Sequence, residues 1–376
     1  MYINKDFNHA YWEKKHLYKD YDVIIAGSGI VGLSTAISIK SKHKNRSVLI
    51  IEQGATANGA STKNAGFACF GSAGELLDDL QHMNHDAVWQ TVNMRYKGLK
   101  LLRKRLGDKH MDYQALGGFE VFKDKQTYMA CREQMDALNK QMKSVLNLKE
   151  CYSTVKPSFG GFADLSGMIK NNFEGQIDTG LMMHNLSLLA HKLGIQSIFA
   201  CQVQHFAQLN NAVKVQTNLA EFTCKKLVIA TNGFAKTLIP ELDVEPARAQ
   251  VLVTKKIKNL KLKGSFHFDM GYYYFRNIDG RVLLGGGRNL DFKKENTAKF
   301  DLNPKIQSAL DTLLKDMILP NTPHEVDLRW TGIMGVGKEK KPIVKNISPN
   351  VIVAVRMGGM GVAIGSLVGE LAADLV

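Results

Sequence analysis

The chain has 376 residues, 45% hydrophobic and 22% charged, with a formal net charge of +14. That length predicts two packed domains rather than one core, and no apolar run reaches the ~18 residues of a membrane span. The basic excess admits an acidic substrate, nucleic acid or an anionic surface as partner, although a lysine-rich solvated exterior accounts for it without one.

The first sixteen residues, MYINKDFNHAYWEKKH, are polar and aromatic and lack an apolar h-region. They do not read as a secretory signal, so a cytoplasmic location is expected. Residues 23–26 predict a short buried strand, 33–39 a helix and 47–51 a second strand, together the βαβ unit of a parallel sheet. Over residues 87–106 apolar side chains recur at Val88, Val92, Tyr96, Leu99, Leu102 and Leu106. This spacing predicts an amphipathic helix with Arg95, Lys100, Arg103 and Lys104 on a solvated face. Residues 117–122 read as a strand and 126–145 as another charged helix. Short strands follow at 202–206, 212–217 and 222–230, the last ending in the turn of LVIATNG. Residues 250–257, 271–276 and 281–285 alternate like antiparallel strands.

The closing segment VIVAVRMGGMGVAIGSLVGELAADLV is strand, glycine loop and helix. The chain thus begins and ends with the same kind of unit and shows no repeat. The expected class is α/β: a Rossmann-like domain with a parallel sheet, assembled from residues 1–95, 160–240 and 325–376. Residues 96–159 and 241–324 would form an α+β substrate domain with a largely antiparallel sheet. The five cysteines, Cys69, Cys131, Cys151, Cys201 and Cys224, are scattered without a C-x-x-C pair. This suits a reduced compartment and argues against a metal site or a disulfide framework.

Between the first strand and helix, Gly27, Gly29 and Gly32 carry the spacing G-x-G-x-x-G, with Ser28 and Ile30 in the same loop. Gly27 permits the tight turn, Gly29 lets the backbone approach a pyrophosphate, and Gly32 lets helix and strand pack closely. Amides at the helix start then face phosphate oxygens. Glu52, followed by Gln53, stands twenty residues beyond Gly32 at the end of the second strand, where a carboxylate can accept from an adenosine ribose. These parts predict a bound dinucleotide. The polar stretch QGATANGASTKNAGFACFGS comes next, where a plain NAD dehydrogenase would continue into helix and strand. It suits an extended loop under a larger cofactor, and the GGMGV loop offers a second helix N-terminus for charge developing on a reduced flavin.

GSGIVGL, the distal Glu52, GASTKNAG, LVIATNG and GGMGVAIGSLVGELAADL, in this order, resemble the D-amino-acid oxidase and glycine oxidase (DAO) superfamily of FAD enzymes. YYYFRNIDGRVLLGGG and RWTGIMG resemble its gamma-glutamylputrescine oxidase-like amine oxidases. The resemblance implies FAD, held without a covalent bond since RWTGIMG has no counterpart of the flavin-linking cysteine. It implies an oxidoreductase that takes a primary or secondary amine, or an amino-acid derivative, to an imine by hydride transfer to the flavin. The implied cofactor residues are Gly27, Ser28, Gly29, Ile30, Gly32, Glu52, Gln53, Ser61, Thr62, Asn64, Ala65, Gly66, Val203, Thr231, Gly233, Gly359, Met360, Gly361 and Val362.

On the substrate side the resemblance implies Tyr274 and Arg276, which share one face of a strand; Trp330 is a candidate aromatic wall, and Arg356, where family members usually have a small residue, a candidate replacement cation. Amino-acid-specific members carry an arginine in the segment matching WTGIMG, where Met334 stands, and another in the glycine loop, where Gly359 stands. Their α-carboxylate clamp is therefore missing. Leu283 replaces the lysine that sarcosine-type oxidases use toward oxygen, so the electron acceptor, O2 or another, stays open. Some relatives modify tRNA bases, and the basic segment from Arg95 to Lys109 makes that the alternative reading.

Overall fold

A computed structural model describes residues 9–156 and 160–376. Residues 1–8 of the N-terminal reading, and the expected domain boundary after residue 159, lie outside the described residues. Among the described residues no helix is long and apolar enough to cross a membrane, and all five cysteines are free and buried.

The first sheet is built on Tyr21–Ala26, the YDVIIA strand, almost wholly buried because helices cover it. It pairs in parallel with Val48–Ile51 on one side and Glu221–Ile229 on the other. Val351–Val355 and Gln196–Ile198 extend the parallel order, and Ile343–Ser348 closes one edge antiparallel. Strands from distant segments of the chain thus sit side by side. Helix Ile30–Lys42 and the C-terminal helix Gly361–Asp374 pack on this sheet, and small residues bring them together. A Cβ on Gly369 would lie 2.5 Å from Ser34 Cβ, and one on Gly98 would lie 2.3 Å from the Ala363 carbonyl.

The second sheet has eight strands, in the order Val326–Val336, Glu245–Thr254, Arg281–Gly286, Tyr273–Ile278, Ser265–Phe268, Gly118–Phe122, Gly167–Asn171 and Tyr152–Val155. All pairs are antiparallel except Ser265–Phe268 with Gly118–Phe122. One face packs an aromatic and aliphatic core of Phe266, Phe275, Leu284, Ile306 and Leu310.

Several expectations change. Gly167–Asn171 and Val326–Val336 belong to the second sheet, whereas the expected division places residues 160–240 and 325–376 in the cofactor domain. The long helix runs from His85 to Leu106, across the boundary drawn after residue 95, and packs on the C-terminal helix. Arg95 is not solvated but 4% exposed, bonded to Glu75 at 3.2 Å and to the Phe70 carbonyl at 3.3 Å. It lies three residues after Val92 and four before Leu99, squarely on the buried stripe. The expected helix over 126–145 is two, Lys125–Glu133 and Met135–Leu146, broken at Gln134. The loop after Glu52 holds a short helix, Ala60–Lys63, and a strand, Phe67–Ala68, paired with Gly175–Gln176.

Candidate active site

The glycine loop behaves as the spacing requires. Gly27 has φ +105°, and a Cβ there would meet the Ala230 carbonyl oxygen at 2.8 Å; on Gly32 it would meet the Gly27 oxygen at 1.9 Å. Helix Ile30–Lys42 begins without a side-chain cap, which leaves amides of its first turn for an anion. Ser61 Oγ accepts from the Ile30 amide at 2.9 Å and so ties the second loop to this turn. Glu52 ends the next strand with its carboxylate braced by the Ser28 amide and hydroxyl at 3.0 and 2.7 Å and by the Gly54 amide at 2.9 Å.

These residues open onto a cavity of about 740 Å³. Gly27, Gly29, Ile30, Glu52, Gln53, Ser61, Asn64, Ala65, Val203, Thr231, Gly359, Met360, Gly361 and Val362 line it, and so does Tyr274. Ser28, Gly32, Thr62, Gly66 and Gly233 sit just behind, as supports. Thr62 bonds the Gly59 carbonyl, and a Cβ on Gly233 would collide with the Met334 carbonyl at 2.4 Å. Thr231 Oγ1 is buried in the lining with no partner among the described residues. An orphaned hydroxyl and a cradle that a Cβ would fill together fit a dinucleotide.

Three of the four substrate-side candidates stand elsewhere. The Arg276 guanidinium donates to the carbonyls of Ala65, Gly66 and Ile177 at 3.2, 2.8 and 2.7 Å. The Gly66 oxygen also accepts from the Ile177 amide at 2.9 Å, whereas no other donor among the described residues reaches those of Ala65 and Ile177, so the cation is drawn beneath the loop and away from the cavity. Burial lowers its pKa to about 10. Arg356, at φ +68°, pairs with Asp243 and Glu339 and donates to the Lys341 carbonyl at 2.8 Å. Trp330 donates to the Lys63 carbonyl at 2.9 Å and packs with Val251, Val253 and Leu283. Neither lines the cavity.

Other side chains take these places. His267 lies directly across the strand pair from Tyr274, and Phe67 meets both rings edge-on at 5.3 and 5.6 Å between centroids. Alternation with Phe266 and Phe268, which face the core, could have marked His267 as a cavity residue. Burial holds His267 below its ordinary pKa against the pull of Glu75, and its Nε2 has no partner among the described residues. Burial also pushes the Tyr274 phenol up to about 12. Glu75 lines the same cavity; burial opposes its charge, but Arg95, Lys340 and His267 outweigh burial and hold its carboxyl below the ordinary value.

Behind this wall Cys69, Glu174 and His267 bring donor atoms within 4.8 Å of one another. Glu174 Oε1 accepts from the Phe70 and Gly71 amides at 2.7 and 2.9 Å, and burial raises its pKa to about 7. The cysteine spacing gave no sign of this grouping. Arg288, Phe292, Phe234 and Phe300 also line the cavity and were not anticipated.

The family model "FAD dependent oxidoreductase" (DAO) matches residues 22–375. The chain is 20% identical to a probable oxidoreductase, OrdL, of Haemophilus influenzae over 94% of its own length and 82% of that protein. It is 23% identical to gamma-glutamylputrescine oxidoreductase of Escherichia coli over 94% and 83%. Among solved structures, L-proline dehydrogenase from P. horikoshii superposes with TM-score 0.76 at 17% identity, covering 96% of this chain and 94% of that one. Glycine oxidase from Bacillus cereus gives TM-score 0.74 at 18% identity, covering 94% and 96%.

Proposed function

The chain belongs to the DAO family of FAD-dependent oxidoreductases, and on that premise we propose that it oxidises the C–N bond of a primary or secondary amine, or of an amino-acid derivative, to an imine that water hydrolyses. The relatives are named for gamma-glutamylputrescine, glycine and L-proline, so the substrate class spans amines and amino acids. The observation that carries the reading is the wall of Phe67, His267 and Tyr274 in the same cavity as the cofactor loops.

Bound FAD supplies the two-electron acceptor for the hydride. The glycine loop, Glu52, Ser61, Thr231 and the Gly359–Val362 segment would hold it. The remaining work falls to the chain. An ammonium cannot form the C=N bond until its nitrogen gives up a proton. His267, kept neutral by burial, is the group on that wall able to take it. Tyr274 stays protonated across the physiological range and serves as a hydrogen-bonding wall rather than a base. Phe67 excludes water from the bond being oxidised. The ammonium nitrogen gives one proton to His267, carbon gives up the hydride to the two-electron acceptor, and the protonated imine that results is hydrolysed by water.

The test is product analysis under turnover with an artificial two-electron acceptor. A substrate of this enzyme yields a carbonyl compound and ammonia, or the shorter amine, in equal amounts. Reduction of the acceptor without a carbonyl product would overturn the reading.

A further inference from the structure

The cavity is not lined evenly. Met270, Tyr272, Phe292 and Phe300 line it and remain 46, 39, 43 and 45% exposed. Among the described residues, every large apolar side chain of the lining that is this open comes from residues 270–300. On the cofactor side Ile30, Ile51 and Val362 are buried in the cores on either face of the first sheet. The open apolar surface therefore belongs to segments that follow strands of the second sheet, not to the glycine loop.

These side chains are held in place while exposed. Tyr272 packs edge-on against Phe292 at 6.2 Å between centroids, and the Arg288 guanidinium lies over the same ring at 4.9 Å. Phe300 stacks with Phe234 at 6.5 Å. Asp269, Met270 and Gly271 all have left-handed φ, +54°, +51° and +83°, in a turn where the Tyr272 amide donates to the Asp269 carbonyl at 2.9 Å. Glycine adopts that conformation freely, whereas a long side chain such as Met270 adopts it at a cost. Here the cost sets a methionine open at the cavity rather than in a core, and strain of this kind gathers at ligand sites. Apolar area left in water recovers free energy only when it is covered, and within a concave cavity a small molecule covers it. Tyr272 stands two residues before Tyr274 and both line the cavity, so this surface continues from the wall at which the C–N bond is oxidised.

We propose that the substrate is an amine carrying a bulky apolar substituent, aliphatic or aromatic, and that Met270, Tyr272, Phe292 and Phe300 are the specificity-determining residues that receive it. The inference rests on the amine-oxidation reading and narrows it. The reacting carbon stands at the wall of Phe67, His267 and Tyr274, and the substituent runs along the open apolar side chains. The flexible thioether of Met270 adapts to substituents of different shape.

The experiment uses the purified FAD-loaded protein without oxygen, the n-alkylamines from ethylamine to hexylamine and the straight-chain α-amino acids from alanine to norleucine. Flavin absorbance gives the Kd and the limiting rate of reduction for each compound. In the wild type Kd falls with each added methylene by up to ~4-fold, equivalent to about 0.8 kcal/mol of apolar burial, while the limiting rate changes little. In Phe292→Ser and Met270→Gly this fall flattens, and the ratio of Kd between the shortest and longest member of a series drops ~10-fold. Met270→Gly places glycine where the backbone is already left-handed, so its lost discrimination is not a failure to fold. A wild-type Kd that ignores apolar size, or a dependence that survives both substitutions, overturns this inference while leaving amine oxidation standing. A size-dependent perturbation of the flavin spectrum with no bleaching by any compound overturns the reading beneath it and leaves the apolar subsite in place. A flavin that responds to neither series overturns both.

Discussion

At the scale of single residues, the glycines carried the most legible chemistry. Gly32 was read as the point of close packing, and a Cβ there would sit 1.9 Å from a backbone oxygen that cannot rotate away. Gly32→Ala should therefore give colourless protein destabilised by at least ~2 kcal/mol, checked by the flavin-to-protein absorbance ratio and by thermal melting; yellow protein of ordinary stability would misplace the cofactor. The arginines were less legible. Arg276 and Arg356 have the right type and register to face a substrate, but buried loop carbonyls and nearby carboxylates claim them, and those partners come from distant segments. His267 was hidden for a similar reason, because its role depends on which strand faces it. Neutral His267 is the competent form, and burial lowers its pKa, so flavin reduction should rise with pH through a value below the ordinary histidine range. Glu75, Glu174 and Cys69 are the titratable groups around it. In His267→Asn that limb should move to the alkaline pKa of the amine, with the rate near neutrality about 100-fold lower. Stopped-flow reduction across pH measures it, and an unmoved limb would remove His267 from the proton transfer.

At the scale of elements, apolar period served strands and helices well and misjudged charges lying on a buried stripe. Residues 87–106 do form one helix, but Arg95 holds a place between Val92 and Leu99 that spacing gives to the core. Its ion pair with Glu75 compensates for burial there. This also takes Arg95 out of the basic face invoked for nucleic acid. Arg276 plays the corresponding part between elements, tying the loop at Ala65 and Gly66 and the Ile177 carbonyl to the second sheet. Arg276→Met would leave the Ala65 and Ile177 oxygens without donors, Gly66 keeping the Ile177 amide, and should cost about 2–4 kcal/mol, with FAD released more readily. Thermal melting with and without added FAD checks this. A variant with unchanged melting and FAD retention but no turnover would return Arg276 to the substrate side.

At the scale of the molecule, the two strand–glycine–helix units at the ends of the chain correctly announced one parallel sheet gathered from distant segments, since both sets of strands pair around Tyr21–Ala26. The division into segments was less legible, because Gly167–Asn171 and Val326–Val336 join the antiparallel sheet by pairings that no local pattern encodes. A local hairpin sets Ser265–Phe268 beside Tyr273–Ile278 and so assembles the wall that lines the cavity with the cofactor loops. That wall makes the central claim testable in one measurement: anaerobic titration of the FAD-loaded protein with amines and amino acids, followed by the oxidised-flavin absorbance. The account predicts full bleaching by at least one amine or amino acid. A yellow protein that none of them bleaches would contradict it.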